Sequence, residues 1–115
     1  MKRRTNHASA TVIVVLVTCP SRAVGRRLAT HLVRARLCAC VNLLPRIESI
    51  FWWKGTVDRS REVLLLMKTA SWRFEALKRA VIKMHPYDLP EVIAVPVSAG
   101  YVPYLRWVAS TSTSA

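Results

Sequence analysis

The chain has 115 residues, 52% of them hydrophobic, and a formal net charge of +12. That size and apolar content fit one domain with one core, and no linker suggests a second. No apolar run approaches the roughly 20 residues that cross a membrane, and the three cysteines, an odd number, read as buried, reduced core thiols.

Met1-Lys2-Arg3-Arg4 is a basic start, but no small-residue cleavage site follows it. Residues 1–10 are therefore expected as a disordered basic arm of a cytoplasmic protein, 11–109 as the domain, and 110–115 as a flexible polar tail. Thr11 to Val17 is a continuous β-branched run, the pattern of a strand covered on both faces. Thr18-Cys19-Pro20 breaks it and Ser21 is placed to cap a helix. Val24, Leu28, Leu32 and Ala35 then recur at helical spacing opposite a set of arginines, predicting a helix that ends near Leu37. Cys38 and Cys40 would share a face if that segment is extended.

Two β-rich runs follow, joined by a tight turn at Lys54-Gly55-Thr56. The first carries Ile47 and Ile50 to Trp53, with Pro45 predicting a bend or bulge; the second carries Val57 and Val63 to Met67. Fully extended, Val57 to Thr69 would span about 43 Å, more than the diameter of about 35 Å expected of a compact chain this long. The tip should overhang its own domain, carrying Phe51, Trp52 and Trp53. Exposed edges and apolar patches invite association, so the hairpin is expected to assemble with other copies.

Ser71 is placed to cap a second helix, along which Phe74, Leu77, Val81 and Met84 form the apolar stripe before Pro86 ends it. Glu91 to Val97 reads as a strand, with Pro96 favouring an edge position. Tyr101 to Val108 fits a short closing helix presenting Tyr104, Trp107 and Val108 on one face. The order is βαββαβ plus a terminal helix, which right-handed crossovers fold into an α+β, ferredoxin-like sandwich with both main helices on one sheet face. The other face would be bare in a monomer, a second reason to expect an oligomer.

The basic residues sit in the two helical patterns. No groove-reading helix, zinc pattern or RNA-binding aromatic signature accompanies them, so a solvated face is favoured over nucleic-acid binding. No Ser-His-Asp grouping, HExxH or glycine-rich phosphate loop is present, and an enzyme is not expected.

Ala39-Cys40-Val41-Asn42, Ser49 to Gly55, Glu62-Val63-Leu64 with Lys68-Thr69, His85-Pro86-Tyr87 with Pro90-Glu91, and Tyr104 to Trp107 resemble, in that order, motifs of the CutA family. The resemblance covers Val12 to Val108. It implies a ferredoxin-like homotrimer similar to the PII proteins, and a role in divalent-cation tolerance with copper or another divalent cation as ligand. It further implies a cleft between subunits where Trp53, Glu62, Lys68, Tyr87 and Glu91 gather around a small ligand, and His85 as a metal ligand. In the residues themselves two alternatives stay open. Glu62 and Lys68 form either a binding site or an interface ion pair, and His85 either holds a metal or hydrogen-bonds locally. A non-enzymatic scaffold for a protein or membrane partner is the competing function, followed by a basic-face nucleic-acid binder.

Overall fold

The computed structural model describes residues 12–113, so the expected arm at 1–10 lies outside the described residues. In chain order the elements are β1 (Val12–Cys19), α1 (Arg22–Arg34), β2 (Cys40–Trp53), β3 (Thr56–Ala70), α2 (Phe74–Met84), β4 (Ile93–Pro96) and α3 (Val102–Thr111). The sheet runs β2-β3-β1-β4 with every neighbouring pair antiparallel. This is the α+β, ferredoxin-like arrangement expected from the element order.

Alternation along β1 and β3 sorts their residues onto two faces. Ile13, Val15, Val17 and Cys19 join Val63, Leu65 and Met67 beneath Leu28 and Leu32 of α1 and Leu77 and Val81 of α2. Complete burial of an aliphatic side chain of this size contributes about 1.5–3 kcal/mol, so this layer carries most of the fold's stabilisation. Helix α1 lies close to the sheet at Gly25, where an added Cβ would sit 3.2 Å from Cys19 Sγ and 3.3 Å from both Leu43 and Leu65. The opposite face is not bare. Helix α3 packs Val108 onto Val12 and Ala39, with Leu105 and Val97 alongside.

The hairpin follows its sequence signal closely. Lys54 (φ 52°) and Gly55 (φ 84°) form a two-residue turn with both residues left-handed, and Trp53 faces Thr56 across it. The ladder shifts register between Leu44 and Ile47, which is the bulge expected at Pro45, with Arg46 at φ 65°. The long hairpin draws the molecule out to 54 × 25 × 22 Å. At its far end Ile50, Trp52 and Val57 are 65%, 74% and 60% exposed.

Five local expectations are corrected. Ser21 does cap α1, its hydroxyl accepting from the Val24 N–H at 3.2 Å, but the helix stops at Arg34 rather than near Leu37. Leu37 N–H bonds Leu32 C=O and Arg36 N–H bonds Val33 C=O, both at 3.0 Å. With Arg36 at φ 61°, this is a helix-ending double bond built on a left-handed residue, and it leaves Ala35 exposed. Cys38 follows this turn and enters the helix-side core, while Cys40 faces Tyr104 of α3; the segment is not extended, so the two thiols do not share a face. Ser71 opens a turn of 3-10 helix (Ser71–Arg73) instead of capping α2, which has no side-chain cap. Finally, α3 buries Val108 and Ala109, with Ser112 buried just past its end, and leaves Tyr104 and Trp107 42% and 45% exposed. Ser110 and Thr111, expected in the tail, belong to this helix, and Ser112 Oγ donates to Val108 C=O at 2.7 Å.

Candidate functional site

Where the hairpin leaves the sheet it forms one wall of a groove of about 920 Å³. The hairpin contributes Ser49 to Trp53, Asp58 to Ser60 and Glu62; the segment after α2 contributes Pro86 to Leu89 and Glu91. Four of the chain's six acidic residues line it, namely Asp58, Glu62, Asp88 and Glu91, against a single base, Arg59. A protein of net charge +12 has thus gathered its carboxylates into one aromatic-walled groove.

The groove floor is held by a chain of hydrogen bonds. Tyr87 donates its hydroxyl to Glu62 Oε2 at 2.8 Å, and Glu62 is buried. His85 is buried as well, with Nε2 2.8 Å from Thr18 C=O and Nδ1 accepting the Tyr87 N–H at 3.1 Å. A carbonyl only accepts and an amide N–H only donates, so these partners fix the neutral Nε2–H tautomer. Burial, followed by the bond to Glu62, pushes the Tyr87 hydroxyl well above its usual range. Burial and the neighbouring Glu62 charge likewise raise Glu91.

Of the residues expected at a ligand site, Trp53, Glu62, Tyr87 and Glu91 meet here. Lys68 does not. It lies opposite Cys40, and its Nζ donates to Asn42 Oδ1. Six residues of extended strand, about 20 Å, separate it from Glu62, so the two share a face without touching and form no ion pair within the chain. His85 adopts the local hydrogen-bonding alternative in the isolated chain: both ring nitrogens are engaged, and the Nδ1 lone pair accepts the Tyr87 N–H. Among the described residues no group of three or more His, Cys, Asp or Glu side chains is arranged to hold a metal ion. Asp58 and Asp88 were not anticipated. They lie on separate segments, and the one signal for them was the scarcity of acids in a basic chain.

The three thiols differ in access. Cys38 is completely buried, and burial pushes its pKa up to about 12; burial also raises Cys19. Cys40 is half-buried and lies 3.5 Å from the Tyr104 hydroxyl, whose pKa is raised to about 12 by this hydrogen bond and by burial. The thiolate is the reactive form. Mild alkylation of the native protein at neutral pH is therefore expected to label Cys40 first, with Cys19 and Cys38 labelled only after denaturation. Peptide mapping of a time course checks this, and early labelling of Cys38 would contradict its placement in the core.

An antiparallel β2-β3-β1-β4 sheet with two helices on one face, a small helix on the other and an overhanging hairpin over an acidic groove defines a small α+β protein of ferredoxin-like class. The family model of the CutA1 divalent ion tolerance protein matches residues 13–111, and the chain belongs to that family. It is 43% identical over 111 residues to the chloroplastic protein CutA 1 of Oryza sativa, covering 95% of this chain and 63% of that protein. It is 46% identical over 95 residues to the divalent-cation tolerance protein CutA of Thermus thermophilus, covering 83% and 92%. The crystal structure of CutA1 from Oryza sativa superposes with a TM-score of 0.90 at 41% identity, covering 94% of this chain and 99% of that one. The chain spans about three fifths of the length of the plant and mammalian relatives it matches.

The expected cytoplasmic location is overturned by these relatives. The rice and Arabidopsis proteins are named chloroplastic, and a structure from Archaeoglobus fulgidus, 33% identical with a TM-score of 0.86, covering 89% of this chain and 99% of that one, is titled periplasmic. Among the described residues no helix is long and apolar enough to cross a membrane.

Proposed function

We propose that this chain works as a homotrimeric, PII-like protein of divalent-cation tolerance, acting by binding rather than catalysis. A divalent cation or small cationic ligand occupies the acidic groove, which a neighbouring subunit completes. The observation that carries this reading is the match of residues 13–111 to the CutA1 divalent ion tolerance family. Asp58, Glu62, Asp88 and Glu91 line one groove of a basic chain but are not arranged to hold a metal within it, so the neighbouring subunit has to complete the site. The exposed hairpin tip supports the assembly: Trp52 is 74% exposed beside Phe51 and Trp53, and apolar patches of this kind mark contact surfaces. The donors in the groove are carboxylate oxygens, which suit Mn(II)- or Mg(II)-like ions better than Cu(I). Copper at His85 would require breaking its bonds to Thr18 and Tyr87.

Calorimetric titration of Mn(II), Zn(II) and Cu(II) into the wild type, Glu62→Gln/Glu91→Gln and Cys40→Ser tests the reading. Binding should be lost in the double glutamine variant and kept in Cys40→Ser. Binding that survives in the double variant would remove the groove from the site. The pH dependence has a definite sign. A cation needs the ionised carboxylate, so protons compete with it. Because Glu91 is raised, affinity should start to fall on acidification at a higher pH than an ordinary carboxylate would give.

A further inference from the structure

A second groove lies between α1 and the end of α2. It measures about 470 Å³ and is lined by Arg26, Arg27, Thr30, His31, Arg34 and Met84. On the surface of α1, Arg27, His31 and Arg34 form one row at i, i+4 and i+7, and Arg26 and Thr30 form a second row beside it. Every polar side chain in the lining offers a hydrogen-bond donor, and no carboxylate is among them.

The electrostatics of α1 run against its own stability. The helix carries Arg22, Arg26, Arg27 and Arg34 and no acidic residue. Arg22 stands at the first position, where the helix dipole favours negative charge, and the first turn holds no acid. Among the described residues the one ion pair is Lys78 with Glu75 at 2.8 Å, on α2, so no carboxylate neutralises these arginines. Local rules broken without compensation inside the fold are characteristic of functional surfaces. All four cations on α1 are arginines, whose planar forks match phosphate oxygens in pairs.

We propose that this groove binds an oligophosphate, a chain of linked phosphate groups, through Arg26, Arg27, His31 and Arg34. Arg26 and Arg34 stand about 12 Å apart along the helix axis, which suits an extended anion rather than a single phosphate. The depression is shallow and open to solvent, so the match to a small anion rests on the spacing of the arginines. The bound anion would supply the negative charge that α1 lacks.

Titration with sodium tripolyphosphate at about 150 mM salt, where diffuse charge attraction is largely screened, tests the proposal. The variants are Arg27→Gln/Arg34→Gln and, as a charge-matched control away from the groove, Arg46→Gln/Arg106→Gln. All four arginines are exposed, and melting curves verify that both variants fold. The groove variant should bind at least about ten-fold more weakly, the loss expected from removing two charged contacts, and the control should bind like the wild type. Inorganic phosphate should bind less tightly than tripolyphosphate. Equal losses in both variants, or binding that vanishes at this salt, would reduce the groove to a diffuse basic surface and overturn the proposal. So would a DNA duplex or phosphatidylserine vesicle that displaces tripolyphosphate through the same two arginines, since the ligand would then be macromolecular.

Discussion

Replacing both Trp52 and Trp53 with alanine is expected to turn the proposed trimer into a monomer at micromolar concentration. Sedimentation equilibrium would read the change as a fall from about three times the 13.0 kDa chain mass to that mass itself. In the isolated chain these side chains are 74% and 40% exposed, so the fold gains little from them. If the neighbouring copies bury them, truncation costs about 3–5 kcal/mol per Trp, enough to dissolve most assemblies at that concentration. A double variant that still sediments as a trimer would place the adhesive surface elsewhere, and a monomeric wild type would remove the assembly altogether.

Leu65→Ala should be the most damaging change to the fold itself. Leu65 is completely buried at the centre of β3, and its Cδ2 lies 3.3 Å from the position a Cβ on Gly25 would take. Helix α1 is therefore seated on this side chain. The expected loss is about 2–5 kcal/mol, a large share of the roughly 5–15 kcal/mol by which domains are stable. Urea unfolding at one fixed chain concentration measures it, because assembly would otherwise contribute. A loss of under about 1 kcal/mol would mean that α1 can settle into the space, since such costs depend on how far the site collapses.

Local chemistry made much of the fold legible. Lys54-Gly55 announced a turn that needs two left-handed residues, Pro45 announced a bulge, and the stripes through Leu28 and Leu32 and through Leu77 and Val81 marked the faces of α1 and α2. The errors arise where sequence spacing is silent about distance or direction. The alternation that puts Glu62 and Lys68 on one face does not say that one ends in the groove and the other beside Asn42. A helical wheel for α3 groups Tyr104, Trp107 and Val108 without saying which edge of the group meets the sheet; contact with Val12 and Ala39 selects Val108 and Leu105. The acidic groove was invisible for a related reason. Its four carboxylates come from β3 and from the segment joining α2 to β4, and only the fold brings them together.

The order β2-β3-β1-β4 leaves β2, from Cys40 to Trp53, as an edge strand. An edge of that length offers its unpaired amides and carbonyls to any strand that drifts past. The kink at Pro45 and Arg46 divides it into a Cys40–Leu44 half and an Ile47–Trp53 half that are out of step by the bulged residues. A straight foreign strand can zip onto one half and then loses register at the kink. The bulge thus breaks a sticky edge into two short rails, neither long enough to guide a stray chain far.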